Sequence, residues 1–114
     1  MTSVDLYSEA TGTADAPVLL LLNSLGATHE MWDAQMEQLT AHYRVIRCDT
    51  RGHGRSPSPD GPYSFDDIVA DVVAVLDHHG VKEATVMGLS LGGMTALGLG
   101  LAHPDRVTRI LCCA

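Results

Sequence analysis

Thr85-Val86-Met87-Gly88-Leu89-Ser90-Leu91-Gly92-Gly93-Met94 is the stretch that decides how this chain is read. Ala84 to Leu89 has the apolar character of a buried strand, and a helix follows Ser90 to about His103, with Pro104 marking its end. Gly-x-Ser-x-Gly therefore falls where strand gives way to helix. So sharp a turn holds the serine in a strained backbone conformation, and the residues two positions either side must be small. Gly88 and Gly92 meet that demand. Gly93 and Ala96 let the helix sit close to the sheet. The turn lifts the Ser90 hydroxyl above the strand end, and the first N–H groups of the helix, which have no intrahelical partner, are free to face a developing negative charge. In this setting the motif reads as a nucleophile elbow with Ser90 as the attacking residue. A P-loop would need Lys-Ser or Lys-Thr after the glycines, and none follows. The glycine spacing does not fit a dinucleotide fingerprint either. A chemically silent glycine-rich turn is the bland alternative.

Outward from the elbow, strands alternate with helices. Val4 and Leu6 suggest a short strand ending near Ala10. Val18 to Leu22 is continuously apolar, as in a strand buried on both faces. Asn23-Ser24-Leu25-Gly26 is the loop after it. Thr28 is expected to cap a helix whose stripe is Met31, Trp32, Met36 and Leu39. Tyr43 to Cys48 is the next strand, and Asp49 to Pro62 is a Gly-, Pro- and Ser-rich loop. Ser64 caps a helix with Asp66 and Asp67 in its first turn, Ile68, Val69, Val72, Val73 and Leu76 on its buried face, and Gly80 as its stop. Val107 to Cys113 is the last strand. The order predicts an α/β fold with a mostly parallel sheet and helices on both faces. Residues 1–114 read as part of one domain, without repeats or linkers.

Composition narrows the partners. The chain has 14 acidic and 7 basic residues, a formal net charge of −7, which argues against nucleic acid or an anionic membrane. No signal peptide is visible, and the longest apolar run, Pro17 to Leu22, is too short to cross a bilayer. Three cysteines, Cys48, Cys112 and Cys113, lack a disulfide-framework spacing, so a reducing, cytoplasmic setting is expected. Cys112 and Cys113, neighbours in a strand, are expected to pack in the core from opposite faces; a metal site is not expected.

Together the elbow, the Asn23-Ser24-Leu25-Gly26 loop, Asp49-Thr50-Arg51-Gly52-His53-Gly54-Arg55-Ser56 and His103-Pro104-Asp105-Arg106-Val107 make the chain resemble the α/β-hydrolase superfamily. It is most similar to the 3-oxoadipate enol-lactonases, enzymes of aromatic catabolism, and the resemblance runs through nearly the whole chain. It implies hydrolysis of a small acidic enol-lactone through an acyl-serine, without a cofactor. Related esterases and cofactor-free haloperoxidases share the elbow. In this architecture the loop after the central strand supplies one oxyanion-hole amide, so the backbone N–H groups of Leu25 and Leu91 are assigned to the hole. Trp32 and Met94 are pocket candidates, with core packing as the alternative for each.

The triad order of the fold is Ser, then Asp or Glu, then His. After Ser90 come only His103 and Asp105. A helix from Ser90 to His103 is about 20 Å long at ~1.5 Å per residue, which excludes His103 as the base and Asp105 with it. His29 and His53 read as structural, Asp49 as a loop-fixing acceptor, and His42, His78 and His79 as surface residues. The resemblance therefore implies that the acid and the base lie outside residues 1–114, together with later strands and a cap. Val107 to Cys113 is expected to form an apolar sheet edge that a second polypeptide covers. A non-catalytic binding module of the same fold is the competing expectation.

Overall fold

The computed structural model describes residues 3–113. Its elements are β1 (Ser8–Gly12), β2 (Val18–Leu22), a 3₁₀ turn (His29–Trp32), α1 (Asp33–Thr40), β3 (Arg44–Cys48), α2 (Phe65–His78), β4 (Ala84–Leu89), α3 (Leu91–Ala102), a second 3₁₀ turn (Pro104–Arg106) and β5 (Val107–Cys113). The strands form one sheet in the order β1-β3-β2-β4-β5, with β1 antiparallel to β3 and the other pairs parallel. This is the predicted α/β architecture.

Side-chain alternation builds a core on each face. Leu20 and Leu22 of β2, with Ile46 and Cys48 of β3, face α2 and α3. Leu19 and Leu21, with Val45, face Trp32 and the Met36 and Leu39 side of α1. From β2 the chain crosses to β3 on one side, then crosses back to β4 on the other. Right-handed crossovers in opposite directions put α1 on one face and α2 and α3 on the other. That reversal opens a crevice between the carboxyl ends of β2 and β4, where open α/β sheets bind ligands. Register pairing of Leu22 with Gly88 sets the two strand ends level.

Three expectations are corrected. The first strand is Ser8–Gly12 rather than a segment ending near Ala10. Val4 and Tyr7 are instead tied through their amides to Asp71 Oδ1 of α2 (2.9 Å) and Ser56 Oγ of the loop after β3 (2.9 Å). Thr28 does cap, but it caps a 3₁₀ turn that hands over to α1 at Asp33, so the expected single helix is two pieces. Cys112 and Cys113 are exposed, because β5 is a sheet edge covered only at Val107 and Ile110 among the described residues. Arg51 and Asp71, unremarked in the sequence, form a buried ion pair at 2.6 Å beneath the loop after β3. Asp71 could have been found, since it sits among Val69, Val72 and Val75 on the apolar stripe of α2 and a carboxylate there needs a cation.

Candidate active site

Ser90 has φ 55 and ψ −113, and among the described residues it is the one non-glycine with positive φ. A left-handed conformation at a residue with a Cβ costs about 1–3 kcal/mol and persists only where the surroundings enforce it. The enforcement is visible in neighbouring backbone. A Cβ on Gly88 would lie 2.2 Å from the Gly92 carbonyl oxygen, and a Cβ on Gly92 would lie 2.2 Å from that of Leu22 and 2.8 Å from that of Asn23. The start of α3 thus lies directly on the end of β2, which only hydrogen at both positions allows. The Ser90 amide donates to the Cys113 carbonyl at 2.8 Å, tying the elbow to β5 as well.

The hydroxyl is left out of this framework. Ser90 is exposed and its side chain does not cap α3, although its carbonyl accepts from the Met94 amide at 3.1 Å. The Leu91 amide, at the first position of α3, has no carbonyl one turn back to meet.

The loop after β2 flanks the other side of the crevice. Asn23 is buried and spent on both sides of its amide: Nδ2 donates to the Cys48 carbonyl (2.7 Å) and Oδ1 accepts from Trp32 Nε1 (2.8 Å). Further along, the Ser24 amide meets Met31 Sδ (3.5 Å), the Gly26 amide donates to His53 Nε2 (2.9 Å) and the Ala27 amide to the Ser24 carbonyl (3.2 Å). Leu25 is 72% exposed, and its amide has no acceptor among the described residues. The two predicted oxyanion donors, Leu25 in the loop after β2 and Leu91 at the start of α3, thus follow the carboxyl ends of two adjacent strands.

Trp32 is 8% exposed and packs with Leu19, Leu21 and Val45, a framework position. Met94 is 56% exposed, one helical turn past Ser90. His29 and His53 are both engaged elsewhere. His29 Nδ1 meets Asp49 Oδ1 at 2.8 Å, and its amide donates to the same oxygen at 2.8 Å. Asp49 Oδ2 accepts from the Arg55 amide at 3.0 Å. Burial opposes ionisation of Asp49, yet the amides of Arg55 and His29 and the His29 ring outweigh it and hold the carboxyl below the ordinary range. Asp49 is fully buried and fixes two loops. His103 lies just beyond the far end of α3 from Ser90. Cys48, the other nucleophile type near the crevice, is buried, and its thiol is pushed up to about 12 by that burial, with the charges of Asp49 and Asp71 adding to the effect, so it stays protonated.

A parallel sheet with a strained, exposed serine on a strand-to-helix turn at its switch point defines the hydrolase class built on α/β sheets. Residues 17–114 match the family described as the alpha/beta hydrolase fold, and the chain belongs to it. Among its relatives, 3-oxoadipate enol-lactonase 2 of Acinetobacter baylyi is 43% identical over 100 residues, covering 88% of this chain and 38% of that protein. A putative carbamate hydrolase RutD of Caulobacter segnis is 42% identical over 100 residues, covering 86% and 38%. The crystal structure of the enol-lactonase from Burkholderia xenovorans superposes with a TM-score of 0.92 at 40% identity, over 95% of this chain and 42% of that one. The chain thus spans 38% of the length of these curated relatives. Its kinship is with hydrolases. No helix among the described residues is long and apolar enough to cross a membrane.

Proposed function

We propose that this chain carries the nucleophile and the oxyanion-binding backbone of a serine hydrolase for carboxylic esters or lactones, with 3-oxoadipate enol-lactone as the leading substrate. The observation that supports it best is the Ser90 backbone at φ 55 and ψ −113 beneath an exposed hydroxyl. A silent turn could relax to a common conformation; strain kept at one serine at a switch point has its use in presenting the oxygen.

Ser90 Oγ attacks the lactone carbonyl carbon while its proton passes to a histidine. The carbonyl oxygen becomes an oxyanion held by the Leu25 and Leu91 amides. The ring C–O bond then breaks, the leaving oxygen takes the proton, and an acyl-serine remains for water to hydrolyse. The histidine and its orienting acid come from polypeptide outside residues 1–114, which also covers β5; residues 1–114 alone have Ser90 without a base and are inactive. The kinship with a putative carbamate hydrolase supports a second reading, attack on a carbamate carbonyl by the same serine.

A serine-reactive fluorophosphonate tests the assignment on the complete enzyme. Peptide mass spectrometry should place the adduct on Ser90, and Ser90→Ala should abolish it along with turnover. An adduct on another residue refutes the nucleophile. Relative kcat/KM on the enol-lactone and on a simple carbamate then separates the two substrate classes.

A further inference from the structure

The segment 24–27 is a turn closed by the Ala27 amide on the Ser24 carbonyl (3.2 Å), with Gly26 at φ 79, the value that the third residue of a type II turn requires. The peptide joining Leu25 to Gly26 is the central peptide of that turn. Types I and II differ by a flip of this unit, which carries the Leu25 carbonyl and the Gly26 N–H, so the turn's own hydrogen bond does not fix its second half. Something must grip the Gly26 N–H.

His53 provides the grip. Its Nε2 accepts from the Gly26 amide at 2.9 Å, and its Nδ1 lies 3.1 Å from the Arg51 carbonyl. A carbonyl only accepts, so Nδ1 carries the ring proton and Nε2 offers its lone pair. The contact bridges 27 positions of sequence, from the loop after β3 to the loop after β2. The loop holding the ring is itself anchored by the Arg55 amide on buried Asp49 and by the Ser56 hydroxyl on the Asp49 carbonyl. At the other end of the 23–26 loop the Asn23 side chain is fixed to Cys48 and Trp32. Between those two anchors the Leu25 amide is the donor left open.

We propose that His53 is a positioning residue for the oxyanion hole: by accepting from the Gly26 amide it ties the turn that carries Leu25 to the loop after β3, and with the Asn23 anchor on the other side it keeps the Leu25 N–H where it stabilises the transition state. The inference rests on the serine-hydrolase reading of Ser90 and assigns a task to a histidine that takes no proton from the nucleophile. It touches neither substrate nor reacting atoms. Its effect falls on the rate of attack and not on substrate affinity, because an oxyanion donor acts when charge develops.

Two substitutions separate this role from simple loop support. Asn at position 53 is long enough to replace the Nδ1 contact to Arg51 but too short to reach Gly26; Gln extends to where Nε2 accepts. In the complete enzyme, the fluorophosphonate inactivation rate constant of His53→Asn should fall roughly tenfold with the inhibitor constant within about twofold. His53→Gln should stay within about threefold of the parent. Equal inactivation rates for the two variants, or loss in the inhibitor constant instead of the rate, overturn the proposal. If the unsubstituted enzyme is not labelled at Ser90 at all, the nucleophile assignment falls and this inference with it.

Discussion

The two loops that border the crevice are held by opposite means. At the end of β4 the chain is fixed by what is missing: hydrogen at Gly88 and Gly92 lets backbone press on backbone, and Ser90 takes the strain. At the end of β2 the chain is fixed by what is present: Asn23, His53 and Asp49 saturate backbone groups from well-separated parts of the sequence, and Trp32 holds the Asn23 side chain. The first device is steric and tolerates nothing added. The second is a hydrogen-bond network in which each member contributes a share. They should therefore respond differently to substitution.

Gly92→Ala should be the most damaging change. Its Cβ would meet the Leu22 carbonyl at 2.2 Å and the carbonyl carbon at 2.5 Å, both backbone atoms of a buried central strand that has nowhere to move. Overpacking of this kind costs about 3 kcal/mol or more. The expected result is a large drop in the urea midpoint of the complete enzyme, with loss of Ser90 labelling in whatever folds. A midpoint within error of the parent would mean that the elbow is not sterically locked.

Asp49→Asn probes the network at its most connected point. The carboxylate serves the His29 amide and ring on one oxygen and the Arg55 amide on the other, so an amide group must turn N–H toward at least one donor. A buried donor left unsatisfied costs about 2 kcal/mol. The sign of the pH dependence follows from the depressed folded-state carboxyl. Its contribution is fully present above the unfolded value of about 3.9 and is lost as pH falls through the lower folded value. Denaturation midpoints from neutral pH into acid should therefore fall less steeply for Asp49→Asn than for the parent. Parallel curves would show that the carboxylate carries no net charge-linked stability.

The same contrast explains which parts were legible in the sequence. The elbow is local: five consecutive residues at a strand–helix boundary specify it, and the alternation of strands and helices specifies the sheet around it. The boundaries of β2, α2, β4 and α3 follow from apolar runs and from Ser64, whose hydroxyl accepts from the Asp67 amide while the Asp67 carboxylate accepts from the Ser64 amide, as a capping box. The grip of His53 on Gly26 was not legible, because nothing in either loop's composition says that the two meet. The edge position of β5 was legible, whereas the exposure of Cys112 and Cys113 was not: how far a strand's faces are covered is set by its neighbours and not by the strand's own residues. Asp49 shows the middle case. Its place at a strand end marked it as a loop acceptor, while the identity of its donors needed the fold.

Trp32→Phe makes the smallest change to the network and the sharpest test of whether its shares are separable. The phenyl ring keeps much of the packing against Leu19, Leu21 and Val45 but takes the donor away from Asn23 Oδ1, leaving a buried carbonyl oxygen without a partner. The cost should be about 1–2 kcal/mol. Because Asn23 Nδ2 still holds the Cys48 carbonyl, the root of the 23–26 loop stays attached, and fluorophosphonate labelling of Ser90 should keep most of its rate. A loss of rate as large as that expected for His53→Asn would mean that the network moves as one body, and the distinction between a graded loop and a locked elbow would have to be redrawn around Asn23.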